Sequence, residues 1–142
     1  LAAGDLLARS VENFEETLSG VVHLAVPELA DWCAFDALDD EPAPDGKPRI
    51  RRLAVAHPSP DMAALVADIE ARWPTDPDAP TGVPKVLRTG EPELYEEISP
   101  DLIRASARDA EHLELVLRLD LRSYISVPLI ARGRTLGALT LA

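Results

Sequence analysis

The chain has 142 residues, the length of one ordinary domain, and 46% of them are hydrophobic, which is enough to form a core. Its 14 basic side chains face 25 acidic ones, and the net charge of −11 argues against nucleic-acid or anionic-membrane partners. The single cysteine, Cys33, excludes an internal disulfide and favours a cytoplasmic location. No run of about 18 apolar residues predicts membrane insertion, and the first residues lack the basic region of a signal peptide.

The first predicted element is a helix over residues 6–26. Apolar residues recur every three or four positions from Leu7 to Ala25, while glutamates occupy another face. Pro27 fits poorly inside a helix, so the helix should end near Val26.

A strand is predicted next, from Ala30 to Leu38, because its aromatic and apolar side chains suit a half-buried sheet. Residues 39–49 are rich in proline and acidic side chains and read as a loop. Residues 50–57 alternate as the paired strand. Asp61 to Trp73 shows a helical apolar stripe, with Pro60 well placed in its first turn.

Shorter elements follow. Four prolines between Pro74 and Pro84 predict a loop, and a helical turn should run from Pro84 until Gly90 stops it. We expect a short strand at 94–95, a helix at 102–107 capped by Ser99 or Asp101, and a helix at 112–119.

The last third of the chain predicts a β-hairpin at 123–141. Two apolar runs, 123–130 and 135–141, flank a basic turn in which Gly133 supplies a positive φ. The whole order of elements, α-β-β-α-α-β-α-α-β-β, predicts a mainly antiparallel sheet with helices on both faces.

Three stretches resemble the GAF domain family. They are Leu-Ala-Asp-Trp-Cys at 29–33, Arg-Leu-Ala-Val-Ala-His at 52–57, and Val-Pro-Leu-Ile-Ala-Arg-Gly-Arg-Thr-Leu-Gly-Ala-Leu at 127–139. The resemblance implies an α+β, profilin-like fold with about five to six strands. It covers 1–142 as a single GAF domain that lacks the usual C-terminal helix. Since the chain stops within an apolar strand pattern, we expect it to be part of a longer protein.

The resemblance implies a non-catalytic sensory or regulatory domain of a bacterial signalling protein. Such a domain would bind a small ligand or transmit signals through dimer helices, here the helix at 6–26. Its output domain on the same chain would be of a type such as a histidine kinase or a SpoIIE-like phosphatase. Two alternatives remain open, a ligand-free dimerisation or protein-interaction module and a haem-binding or small enzymatic GAF domain.

The GAF comparison places a ligand pocket between the sheet and the helices within 84–119. The best lining candidates are Tyr95, Ile98, Arg108, His112, Leu113, Ser123, Ile125 and Val127. His112 is the candidate haem ligand, with local hydrogen bonding as its alternative. Arg108, with Arg104 and Arg122, offers hydrogen bonds to an anion or balances neighbouring acids.

No motif predicts a catalytic or a metal site. Ser123 and Ser126 lack a nucleophile elbow, and the histidines and Cys33 have no metal-ligand spacing. Cys33 also departs from the position and sequence of a bilin-attachment cysteine and is expected to be buried and inert. The Asn-Lys-Phe-Asp-Glu signature of cyclic-nucleotide GAF domains does not occur, so the identity of any cofactor stays unknown.

Overall fold

The computed structural model describes residues 15–39 and 41–142. Within them, helices and strands follow one another in the predicted order, and the fold is α+β with a five-stranded antiparallel sheet. The helices are α1 (15–24), α2 (Pro60–Arg72), α3 (Val83–Thr89), α4 (Pro100–Ser106) and α5 (Ala110–Arg118). The strands are β1 (Cys33–Leu38), β2 (Ile50–Ala56), β3 (Glu93–Tyr95), β4 (Tyr124–Ala131) and β5 (Arg134–Leu141).

The first predicted elements differ from the structure at their ends. The part of the predicted helix over 6–14 lies outside the described residues, and α1 ends at residue 24. The first strand begins at Cys33 and not at Ala30. The reason is that the backbone N–H groups of Leu29 and Ala30 both donate to the Ala25 carbonyl, which keeps the chain in a helix-terminal turn.

The strand order across the sheet is β2-β1-β5-β4-β3, and every neighbouring pair is antiparallel. The strands of the predicted hairpin at 123–141 are β4 and β5, of which β5 is the central strand of the sheet and β4 lies beside it. Arg132 and Gly133 both have positive φ, as a two-residue type I′ turn requires, so the turn matches the twist of its strands.

One face of the sheet, called here the α1 face, packs against α1. Val22 of α1 and Ala25, which directly follows that helix, are buried against Cys33 and Phe35 of β1, together with Ala54 and Ala56 of β2. Because side chains alternate along a strand, Ile125 and Val127 of β4 also lie on this face: they pair with Leu141 and Leu139, which pack against the same cluster.

The opposite face, called here the helical face, is covered by α2 and α3. Val86 and Leu87 of α3 pack on Ala138 at the centre of β5. Val66 and Ile69 are the buried residues of α2, and α5 packs against α2 from outside. Helices therefore cover both faces, as predicted.

Two caps fix the helices that follow β3. The Ser99 hydroxyl accepts from the Leu102 N–H at 3.1 Å, so Ser99 and not Asp101 caps α4. The Asp109 carboxylate accepts from the His112 N–H at 2.8 Å at the start of α5. Among the described helices, none is both long enough and apolar enough to cross a membrane.

Candidate functional site

A half-open cavity of about 150 Å³ lies on the helical face, between the sheet, α2 and the segment 119–121 that follows α5. Its walls are mainly apolar and include Trp32, Val55, Val66, Ile69 and Leu121. Arg52, Glu70 and Thr140 are its polar members. An apolar cavity with a few convergent polar groups is the usual form of a small-molecule site.

A β-bulge positions the arginine of this cavity. Phe35 pairs with Ala54, but its neighbour Asp36 pairs with Arg52, so the register skips Leu53. Leu53 and Ala54 both pack toward the α1 face although they are adjacent in sequence. The extra residue turns Arg52 to the helical face beside Asp36.

Arg52 joins two carboxylates. Its Nε donates to Asp36 Oδ1 at 3.0 Å and its Nη2 to Asp36 Oδ2 at 3.3 Å, which is the fork geometry of an arginine–carboxylate pair. Its Nη1 lies 3.9 Å from Glu70 Oε2. Asp36 is only 1% exposed. Burial raises the pKa of Asp36, and the adjacent guanidinium of Arg52 opposes that rise.

The polar groups on the helical face of the sheet also include the hydroxyl groups of Thr140 and Ser126. Thr140 Oγ1 donates to Ser126 Oγ at 3.0 Å, and Ser126 is fully buried. Thr140 borders the cavity, whereas Ser126 lies behind it on β4. Ser126 thus serves as a cross-strand partner in the sheet.

His112 and Arg108, both predicted to line a pocket, lie at the junction of α5 with the end of α2. The His112 ring stacks on Trp73 with centroids 4.7 Å apart, and its Nδ1 accepts from the Arg108 backbone N–H at 3.0 Å. The Arg108 guanidinium donates to the Pro74 carbonyl. Burial and the nearby Arg108 charge lower the pKa of His112. His112 therefore makes the local hydrogen bond that the sequence left as its alternative role.

Tyr95, Ile98 and Leu113 are placed apart from the cavity. Tyr95 packs against Tyr124 with ring centroids 5.1 Å apart at the sheet edge. Ile98 borders a separate groove of about 490 Å³ between α4 and α5. Leu113 is half-buried on α5.

Ser123, Ile125 and Val127 also lie away from the cavity. Ile125 and Val127 point to the α1 face, and Ser123 is exposed just before β4 begins. Ser123 and Ile125 border one open recess of about 430 Å³, but the structure does not bring all eight predicted pocket residues together in one place.

The residues that sequence reasoning missed are Trp32, Arg52 and Glu70. One signal was present, because Asp36 interrupts the apolar run Cys-Ala-Phe-Asp-Ala-Leu and Arg52 stands in the paired strand. A charge in the middle of a buried strand requires a partner.

A second buried carboxylate anchors α3. Glu93 Oε1 accepts from the Gly82 N–H at 2.7 Å and from the Tyr124 hydroxyl. Its Oε2 lies 3.4 Å from the Lys85 ammonium but makes no hydrogen bond. Burial and the bond to Glu93 raise the pKa of Tyr124. These contacts tie the start of α3 to the β3–β4 edge.

Cys33 is fully buried, and this burial raises the pKa of its thiol. Over residues 15–39 and 41–142, no group of three or more His, Cys, Asp and Glu side chains has an arrangement that holds a metal ion.

Comparison with known proteins places the chain in a family. A model of the GAF domain matches residues 13–142. The GAF domain region of a Geobacter sulfurreducens PCA protein superposes with a TM-score of 0.62 at 13% identity, covering 96% of this chain and 79% of that one. The Staphylococcus aureus NreA protein, mutated in its nitrate binding site, gives 0.50 at 13% identity over 94% and 85%.

The GAF3 domain of Slr1393 from Synechocystis sp. PCC6803, in its photoproduct state, is similar at 15% identity with a TM-score of 0.49, over 92% of this chain and 74% of that one. No curated protein matches this chain significantly in sequence. At these identities the similarities concern the fold alone. The family match over 13–142 and the shared sheet architecture confirm the predicted resemblance. The chain therefore belongs to the GAF domain family.

Proposed function

We propose that this GAF domain is a non-catalytic sensory or regulatory module that binds a small molecule in the cavity lined by Arg52 and Glu70. It would serve a longer cytoplasmic signalling protein, with an output domain such as a histidine kinase or a phosphatase on the same chain. The observation that carries the proposal is the cavity itself, a half-open space between the sheet and α2 with apolar walls around Arg52 and Glu70.

The surroundings of the cavity support a route for the ligand. A wider outer recess of about 470 Å³ shares Trp32, Leu119, Leu121 and Ala142 with the cavity. Leu119 and Leu121 flank Asp120, which has a positive φ of 51°. Because the cavity is half open and shares these residues with the recess, a ligand can reach it from the recess.

Contacts of α2 support a route for the signal. α2 lines the cavity with Val66 and Ile69, and its end is joined to α5 by the stacking of Trp73 on His112. β1 lies between the cavity and α1, since Ala34 faces the cavity while Cys33 and Phe35 pack toward α1. A ligand that favours one arrangement of α2 would shift the population of these packed elements.

The test is native mass spectrometry of the purified domain, with an absorption spectrum of the same sample. A retained small molecule that is lost in Val55→Phe, which fills the cavity, supports the proposal. Val127→Phe is the matched control, because it adds the same volume on the α1 face. Equal retention by both variants would contradict the proposed location. A haem Soret band abolished by His112→Ala would favour the haem-binding alternative.

A second candidate function is the ligand-free dimerisation module, with a second copy of this chain as the partner. The observation that favours it is the apolar surface at the end of α1 and beyond, where Leu24 is 79% and Leu29 76% exposed. Leu94 is also exposed, on the α1 face of the sheet. Sedimentation velocity of the domain should give a dimer that Leu24→Glu dissociates, and a monomer at all concentrations would contradict this function.

A further inference from the structure

We infer that the cavity selects compact uncharged molecules that carry a hydroxyl group and rejects carboxylates of the same size. The inference rests on the proposed ligand-binding function and names the class of ligand for that site. It depends on three observations: the volume of the cavity, the charges at its floor, and a gap between Arg52 and Glu70 that is too wide for a direct hydrogen bond.

The volume sets the size of the ligand. The cavity has about 150 Å³, and a cavity of roughly this volume lined by aliphatic and aromatic side chains holds one benzene molecule. Trp32, Val66, Ile69 and Leu121 provide such walls. A single ring or a branched chain of similar bulk therefore fits, and a whole nucleotide or tetrapyrrole is too large to lie within the cavity.

The charges at the floor disfavour an anion. Among the described residues that line the cavity, Arg52 is the only cation, and two of its N–H groups already donate to Asp36. Glu70 brings a second carboxylate to the same guanidinium. Two carboxylates thus face one cation, and a third carboxylate would be desolvated beside a like charge without a free cation to pair with.

The gap between Arg52 and Glu70 specifies the polar group of the ligand. Arg52 Nη1 and Glu70 Oε2 are 3.9 Å apart, which is beyond hydrogen-bond distance, while Glu70 Oε1 already accepts from the Thr75 hydroxyl at 2.9 Å. An oxygen about 2.8 Å from each atom completes a triangle with them. A hydroxyl group there accepts from Nη1 and donates to Oε2, whereas a protonated amine has no lone pair and leaves Nη1 without an acceptor.

The test is isothermal titration calorimetry of the domain with phenol, toluene and benzoate, three probes with one ring each. We expect phenol to bind at least about tenfold more tightly than benzoate, because a like charge several ångströms from Glu70 opposes the latter. Glu70→Gln should reduce that preference to about threefold or less. Asp68→Asn is the matched control, since Asp68 lies on α2 and pairs with Arg72 outside the cavity; it should leave the preference unchanged.

The outcomes separate this inference from the proposed function. Benzoate binding as tight as phenol overturns the inference and still supports a ligand-binding cavity. Phenol binding no tighter than toluene overturns the hydroxyl contact. If none of the three probes binds while mass spectrometry finds a molecule that Val55→Phe loses, the inference fails and the proposed function stands. Equal binding of phenol by Val55→Phe and the parent contradicts both.

Discussion

Replacing Arg52 with methionine tests whether Arg52 and Asp36 form a stabilising buried ion pair beneath the cavity. The substitution keeps an unbranched apolar stem but removes the guanidinium. Asp36, whose side chain is 2% exposed, then loses both of its charge-assisted hydrogen bonds. Among the described ion pairs, Arg52 is the only cation that pairs with Asp36, so the carboxylate would stay buried without a partner.

The magnitude follows from these contacts. Hydrogen bonds to charged groups contribute about 1.5–3 kcal/mol each, and removing one partner of a buried pair costs about 3–5 kcal/mol. Since the Arg52 side chain is 26% exposed and water can reach part of the site, we expect the lower end, about 3 kcal/mol. Arg52→Met with Asp36→Leu should be more stable than Arg52→Met alone, because no unpaired charge remains buried.

The assay is urea denaturation followed by circular dichroism, with the free energy of unfolding taken at constant slope. Arg51→Met is the matched control. Arg51 is the preceding residue of β2, and its side chain is 58% exposed where it pairs with Asp39 at 3.3 Å. A surface pair of this kind contributes about 0–1 kcal/mol. If Arg52→Met costs no more than Arg51→Met, the reasoning about the buried pair is wrong.

The remaining predictions concern other contacts and use the same unfolding assay. Gly137→Ala places a Cβ 2.6 Å from a backbone oxygen and should lower the free energy of unfolding by about 1–3 kcal/mol. Gly20→Ala, with open space around its Cβ, should raise it by about 0.5–1 kcal/mol. Equal effects of the two substitutions would refute the close packing at Gly137. Tyr124→Phe removes a donor from buried Glu93 and should cost about 1–3 kcal/mol; no loss would show that this bond contributes nothing. Because burial lowers the folded-state pKa of His112, its contribution to the free energy of unfolding is full above about pH 6.5 and is lost as pH falls. His112→Asn should flatten this pH dependence, and an unchanged pH profile of stability would contradict the prediction.

The order and type of the elements could be predicted because local signals mark them. Prolines stand in the first turns of α2, α3 and α4, Gly90 in the left-handed region ends α3, and the apolar runs around Gly133 specify the hairpin. These signals act within one element or one turn. They do not depend on how distant segments pack.

The pattern of β4 alone does not decide which side chains face which helices. Ile125, Val127 and Leu129 alternate with Tyr124 and Ser126, and the GAF comparison places Ile125 and Val127 among the pocket candidates. In the structure the apolar set faces α1, and Ser126 is the fully buried member because the Thr140 hydroxyl of β5 satisfies it. That choice depends on cross-strand partners, which a single strand's pattern does not contain.

The cavity itself was beyond sequence reasoning for a related reason. Arg52 reaches the helical face only because a β-bulge shifts the register next to Asp36. Glu70 reaches Arg52 only because α2 crosses that part of the sheet. Charged residues in these strands and in α2 are visible in the sequence, but their convergence depends on the bulge and on helix packing.

The ligand site that we propose for this GAF domain lies on the helical face and not on the α1 face. A methyl-labelled NMR titration of the domain with phenol distinguishes the two faces. We expect chemical-shift changes at the methyl groups of Val66 and Ile69, which line the cavity. We expect none at Leu94 and Val127, which lie on the α1 face. Changes confined to Leu94 and Val127, with Val66 and Ile69 unmoved at saturating phenol, would place the site on the wrong face for the proposal and refute it.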